Sequence, residues 1–423
     1  MHPTLAGKPS NLPPNSSKAL ILVGGPSRGT RFRPLSLDAP KPLFEVAGHP
    51  IIYHHLRALE ALGESIKEIL IIGFYEESVF ADFIRQAKLQ FPQWRILYLR
   101  EYQALGTAGG LYHFRDVITR GHPSRFFVLN ADVCCSFPLV QMNDLFEVRK
   151  ATAVILGTRV TPEAATNFGC IVSDRETSQV LHYVEKPESH ISDLINGGVY
   201  LFDSTIFAQI KEAMGRRADE AASNPTLEQD DKLRLEQDIL AHLSQTKGFY
   251  VYETRDFWRQ IKTAGSAVPV NALYLQQALQ SGSDEISKPS ATIVPPVLIH
   301  PTAVVDPTAK LGPNVSIGAR ARIGAGARIK EAIVLEDAEV KHDACVLYAI
   351  VAWQSRVGAW ARVEGTPTLP TQHAMTIVKN GVKVQSITIL AKQVIVGDEV
   401  RCQNCVVLPN KEIKRDVANE VIM

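Results

Sequence analysis

The sequence predicts an α/β domain on a mixed, mostly parallel sheet, followed by a left-handed parallel β-helix. Two patterns predict it. Between Lys18 and about Ala272, short apolar runs alternate with amphipathic stretches, as a sheet flanked by helices requires. After Pro296 the hydrophobic period changes to six. Neither a helix nor a hairpin produces that period, whereas a triangular coil with three six-residue faces does.

KALILVGG, from Lys18, reads as a buried strand running into a glycine turn. HHLRALEAL, from His54, has helical spacing, and IKEILIIGFY, from Ile66, and RFFVLNADV, from Arg125, read as strands. Ligands of such sheets bind beyond the carboxyl ends of the strands, where Gly24-Gly25 and Asn130-Ala131-Asp132 both fall. Residues 1–17 are polar and Pro-rich and are expected to be a disordered tail. Met214 to Asp231 is polar and rich in Ala, Glu and Asp, and is expected to be a mobile surface loop. Residues 280–296 read as a linker between a domain of residues 18–279 and one of residues 297–423.

Ile299, Val305, Leu311, Ile317, Ile323, Ile329 and Leu335 lie six residues apart, and each is expected to point into the coil. Ala303, Ala309, Val315, Ala321, Ala327 and Ile333 follow the first six at four residues' distance. Gly312, Gly318 and Gly324 are assigned to tight corners. The register is expected to break at Lys341 and to resume through Val357-Gly358, Ile387 and Ile389. Residues 366–386 do not follow the repeat, so a functional loop is expected to project there.

At 423 residues the chain exceeds one ordinary core. Its 45% hydrophobic and 21% charged content is that of a globular protein. A net charge of +1 gives no electrostatic case for nucleic acid or membrane as a partner. The N-terminus has no apolar core of a signal peptide, and no run approaches the roughly 20 apolar residues of a membrane span. Six cysteines form no framework, and Cys402 and Cys405 make a lone CxxC, read as buried thiols of a cytoplasmic protein.

GGPSRGTRFRP, from Gly24 to Pro34, precedes Pro40-Lys41-Pro42. A glycine turn after a strand brings backbone N–H groups to a phosphate, and Arg31 and Lys41 can neutralise its charge. The segment is neither a Walker A loop nor a GxGxxG fingerprint. On its residues alone, a plain strand–loop turn remains the alternative.

Together with later segments, this stretch resembles the nucleotide-sugar pyrophosphorylases, which read GGxGTRLRPLT followed by PKPL. LGTAGGL, from Leu105, resembles the segment that holds the base. LNAD, ending at Asp132, resembles the magnesium-binding strand end. NFGC from Asn167, VEKP from Val184 and NGGVY from Asn196 resemble the sugar and sugar-phosphate sites, and LPNKEI near the C-terminus resembles the last coils of the GDP-mannose branch. The resemblance implies a Rossmann-like nucleotidyltransferase domain. It also implies a reaction in which a sugar-1-phosphate oxygen attacks the α-phosphate of a nucleoside triphosphate and pyrophosphate leaves, with positioning and charge neutralisation as the protein's task.

Carried over by position, Gly24, Gly25, Gly29, Thr30, Leu105, Gly106 and Thr107 would bind the nucleotide. Arg31 and Lys41 would act on the phosphates. Asp132 would hold Mg2+. Lys186 would clamp the sugar phosphate, with Gly169, Glu185, Asn196 and Gly198 at the sugar. Taken singly, Asp132 reads equally as a turn cap and Glu185-Lys186 as a surface pair.

Two departures bear on activity. Three residues, Pro26, Ser27 and Arg28, stand where the family has one, and a shift of about 1 Å in such a loop can cost about 10²-fold in rate. Gln260 stands where the family's second metal carboxylate is placed, and an amide serves a hard divalent cation poorly. Asp256, four residues earlier, would be displaced by two pleats. The pattern resembles the alpha-type subunits of GDP-mannose pyrophosphorylase, which bind GDP-mannose and pair with a catalytic beta-type subunit. Residues 366–386 are then the candidate for reaching a neighbouring subunit of an oligomer. The alternatives are a guanylyltransferase acting on GTP and mannose 1-phosphate, and a non-catalytic scaffold like the exchange-factor subunits of translation initiation. Acyl transfer would need His342 as base, and that residue reads as a surface histidine.

Overall fold

The computed structural model describes residues 16–25, 30–223, 232–368, 376–379 and 382–423. Most of the expected N-terminal tail, Pro26 to Gly29 and parts of the two expected loops lie outside them. The described chain packs as two compact units, one of residues 16–25 and His55–Trp258, the other of residues 30–54 and 259–423. Packing thus groups residues 30–54 and 259–279 with the coils, although they precede the linker in sequence. No described helix is long and apolar enough to cross a membrane.

The first unit is built on a mixed sheet of β1 (Ser17–Gly24), β2 (Ile66–Gly73), β3 (Arg95–Arg100), β4 (Arg125–Asn130), β5 (Ala153–Arg159), β6 (Gly169–Ser173), β7 (Val180–Glu185), β8 (Leu194–Phe202) and β9 (Phe249–Thr254). β1 pairs parallel with β2 and β4, and β2 with β3. Registers Gly24↔Gly73, Gly73↔Arg100 and Leu22↔Asn130 bring their carboxyl ends to one edge. Their apolar runs are buried, Ala19, Leu20, Ile21, Phe127 and Leu129 completely, as a sheet covered on both faces demands. β8 runs antiparallel to β4, β5 and β6, and β7 antiparallel to β6. The loop expected from Met214 is instead helical as far as Ser223, within a helix spanning Ile206–Ser223. Ala, Arg and Glu are good helix formers, and Ile206, Ile210 and Ala213 anchor it in the core.

In the second unit the coils carry three inward columns. One runs Val305, Ile323, Val340, Val357, Val396, Ile413. The others run Leu311, Ile329, Val346, Val363, Cys402 and Ile299, Ile317, Val334, Val351, Leu390, Val407. Val334, not Leu335, therefore continues the third column. One face has lost a residue, and Glu331, at φ 48°, turns its corner in the left-handed region. Partners stand eighteen residues apart at Leu311↔Ile329 and seventeen apart at Ile329↔Val346. The strict six-residue pattern fails after Ile329, yet the coil itself passes Lys341 unbroken. Ile333 leaves the interior for the outer face, where the helix Ala267–Gln280 lies against Arg328–Val334. Asn271 of that helix, fully buried, accepts hydrogen bonds from the Ala47 N–H (2.7 Å) and the Ser316 hydroxyl (2.8 Å).

Of the glycine corners, Gly312 sits at φ 100°, as expected of a tight corner, and the other two are corrected. Gly318 and Gly324 do not supply positive φ. A Cβ there would lie 2.8 Å and 2.6 Å from the backbone nitrogens of Glu336 and His342 in the next coil, so close approach demands glycine. Left-handed corners fall on Arg320, Asp337 and Gln354 instead. The linker's end already belongs to a coil, since the Val294 N–H donates to Leu311 O and the Leu311 N–H to Thr292 O. Within the expected loop, Thr376–Lys379 and Val382–Gln385 pair as an antiparallel hairpin. Coil partners across this insertion stand thirty-nine residues apart at Val357↔Val396. Cys402 and Cys405 are buried free thiols.

Glu45, in the short strand Glu45–Val46, has its carboxyl pushed up to about 7 by burial, with Glu336 nearby adding to it. The fold favours the neutral form. Its contribution is complete below the ordinary carboxylate range and is lost as pH rises through about 7. Glu45→Gln should therefore raise Tm at alkaline pH by roughly 3 °C or more, with the gain vanishing in acid, as calorimetric scans across pH would report.

Candidate functional site

The helix Gly106–His113 follows β3 at the carboxyl edge of the first unit. Its first turn is closed by the chain itself. The Leu233 carbonyl accepts from the N–H groups of Ala108 (3.0 Å) and Gly109 (3.2 Å), and the Leu233 N–H donates to Leu105 O (2.8 Å). Gly106 sits at φ 83°, and a Cβ on it would lie 2.2 Å from the Leu233 carbonyl oxygen, so this residue has no substitute. The Thr107 hydroxyl accepts from the Leu235 N–H (2.7 Å) and donates to Glu236 Oε2 (3.1 Å). The base segment expected at Leu105, Gly106 and Thr107 is thereby locked to residues 233–236.

Glu236 is absent from the residues singled out by sequence. It lies in a π-helical turn, Leu235–Ile239, a local irregularity that often marks functional sites. Protein surrounds its carboxylate, yet part of the residue stays accessible, as in a group lining a recess. Burial pushes this carboxyl up, Glu185 adds like-charge repulsion, and hydrogen bonds from Thr107 and Asn130 oppose the shift. Tyr200 donates to Glu236 Oε1 at 3.5 Å. The Asn196 amide donates to the hydroxyls of Tyr200 (2.9 Å) and Tyr183 (3.1 Å), and Tyr183 donates to Glu185 Oε2 at 2.8 Å. Burial holds both phenols well above their ordinary range, so they remain donors.

The expected sugar residues meet in this network. Gly169 pairs with Glu185 across β6 and β7, and the Gly198 N–H donates to Asn196 Oδ1 at 2.8 Å. Asn196 thus orients two tyrosines and a backbone turn. Lys186 keeps 63% of its side chain exposed, with its ammonium 3.5 Å from Glu185 Oε1. Trp258 closes one side, donating from Nε1 to Gly197 O at 2.9 Å and meeting Phe168 edge-on.

Residues 18–275 match the nucleotidyl transferase family, and residues 293–423 match the domain described as the GMPPB C-terminal domain. A probable mannose-1-phosphate guanyltransferase of Schizosaccharomyces pombe is 53% identical, over 96% of this chain and all of the relative. The chain belongs to the mannose-1-phosphate guanylyltransferase family. Mannose-1-phosphate guanylyltransferase regulatory subunits alpha of Xenopus tropicalis and Dictyostelium discoideum are 46% and 44% identical, each over 96% of this chain and 100% and 99% of their own. The Rossmann-like domain and β-helix expected of this guanylyltransferase family are both present.

Nucleotidyltransferases of this kind generally use Mg2+. Asp132 lies two residues beyond the end of β4 and is half-buried. Asp256 accepts from the Ser136 hydroxyl at 3.1 Å. Ser136 lies four residues beyond Asp132, across the three-residue strand Val133–Cys135, about 13 Å of extended chain. Among the described residues, no group of three or more His, Cys, Asp or Glu side chains is placed to hold a metal ion. Gly24 and Gly25 end β1 at the same edge, whereas Gly29 lies outside the described residues. Thr30, exposed Arg31 and Lys41 belong to the second unit, where Lys41 Nζ donates to Ile261 O (3.2 Å). Gln260 ends the strand Trp258–Gln260. His342 is an exposed surface residue with Nδ1 3.1 Å from Asp343 Oδ2.

Gly106→Ala should cost about 1–3 kcal/mol through backbone strain and break the Leu233 clamp. Denaturant titration should show a lowered midpoint relative to the unaltered chain.

Proposed function

We propose that the first unit binds GDP-mannose and that the chain serves as an alpha-type, product-sensing subunit whose catalytic turnover a beta-type partner supplies. One asymmetry carries the reading. The polar chain from Glu185 to Glu236 is complete, while Asp256, the one substitute for the missing second carboxylate, is engaged by Ser136. Lys186, exposed beside Glu185, is the phosphate clamp, and a charge-assisted contact of this kind is among the stronger hydrogen bonds. The hairpin of Thr376–Lys379 and Val382–Gln385 is the element suited to reach the partner. Six free cysteines suit the reducing cytosol.

A second reading, an active guanylyltransferase converting GTP and mannose 1-phosphate, is favoured by the name borne by the Schizosaccharomyces pombe relative. Calorimetric titration with GDP-mannose beside a pyrophosphate-release assay separates the two. The regulatory reading expects binding that survives chelation of Mg2+, with turnover at least about 10²-fold below a beta-type subunit. Vigorous turnover by the isolated chain would overturn it. Lys186→Ala should weaken GDP-mannose binding about 10-fold. Adding the chain to a beta-type subunit should make that enzyme sensitive to GDP-mannose, and deleting residues 366–386 should abolish the sensitivity.

A further inference from the structure

The hydrogen-bonded chain in the first unit is continuous from one functional segment to the other. Thr107, in the helix after β3, donates to Glu236. Tyr200 donates to the other oxygen of the same carboxylate. Asn196 donates to Tyr200 and Tyr183, and Tyr183 donates to Glu185. Each donor in this sequence is used once in a fixed direction, and the Asn196 oxygen is occupied by the Gly198 N–H. No member can turn without leaving a neighbour unpaired.

The two ends face different parts of a sugar nucleotide on the reading above, on which this inference rests. Thr107 belongs to the segment held against Leu233 and Leu235. Glu185 stands beside Lys186 at the sugar phosphate. Thr107, Glu185, Asn196 and Glu236 all retain partial exposure. They are therefore accessible from a recess rather than sealed in the core.

We infer that Glu236 is a positioning residue that couples the nucleotide and sugar ends of the site, holding Thr107 through one carboxylate oxygen and the Tyr200–Asn196–Tyr183–Glu185 chain through the other. Seating the base fixes Thr107 and with it the orientation of Glu236. The phenol of Tyr200, the Asn196 amide and the acceptor geometry of Glu185 then follow. A ligand carrying both a guanine and a mannosyl group gains from this alignment, and GDP alone does not.

The test is a double-mutant cycle on GDP-mannose affinity with the full-length chain. Thr107→Val and Tyr183→Phe remove the two ends, and their effects should be non-additive by about 5-fold or more. In a Glu236→Gln background the same two changes should become additive within about 2-fold, with the thermal transition retained. A role confined to fold stability would move affinity equally in both backgrounds. Tyr200→Phe cuts the same chain without altering the carboxylate, and supplies the second background if Glu236→Gln does not fold. Additivity in the parent chain, or non-additivity that persists in both altered backgrounds, overturns the coupling while leaving GDP-mannose binding in place. Absence of GDP-mannose binding by the unaltered chain overturns the sugar-nucleotide reading and this inference together.

Discussion

Withdrawing a carboxylate from water is costly unless its oxygens find donors, and Glu236 meets that condition by drawing residues from three distant parts of the first unit. Thr107 comes from the helix after β3, Asn130 from the end of β4 and Tyr200 from β8. Much of the local architecture answers to this requirement. The π-helical turn aims the carboxylate inward, and the absence of a side chain at Gly106 lets the 233–236 segment come close enough to deliver it. The tyrosines stay protonated because they are buried, which fixes the direction of every hydrogen bond in the chain.

The parallel strands were legible because uninterrupted apolar runs flanked by glycine have few alternatives. The solenoid was legible for the same reason as far as Ile329. Beyond it one face is a residue short, so the three inward columns continue at Val334, Val340 and Val346. A strict six-residue comb misses the phase change, although every coil is intact. The helical part of Met214–Asp231 was hidden by polarity, because the residues that anchor its helix in the core, Ile206, Phe207, Ile210 and Ala213, all precede it. Glu236 was hidden for another reason. Its partner Thr107 is 129 residues away, and nothing in LEQDI distinguishes a carboxylate that enters a recess from one that faces solvent.

On the proposed function, binding and turnover draw on different elements. The network from Glu185 to Glu236 hangs on β7, β8 and the 233–239 segment. The second-carboxylate position lies in the strand Trp258–Gln260, and Asp256 is tied to Ser136 instead. A change in the metal apparatus therefore leaves the hydrogen bonds among Glu185, Tyr183 and Asn196 undisturbed. Phosphoryl transfer depends on charge neutralisation at the phosphates, while recognition of a hexose depends on oriented donors and acceptors. A protein can lose the first and keep the second without a cost to its core.

The coils above and below the inserted hairpin keep phase, with Val357 over Val396 and Val363 over Cys402. Each rung bonds only to its immediate neighbours, so an excursion that leaves and re-enters at one rung imposes no distortion on the rest of the stack. Length and composition of that excursion are free to drift while the scaffold stays constant. Proteins sharing this solenoid can in this way diverge in what they touch without diverging in how they fold.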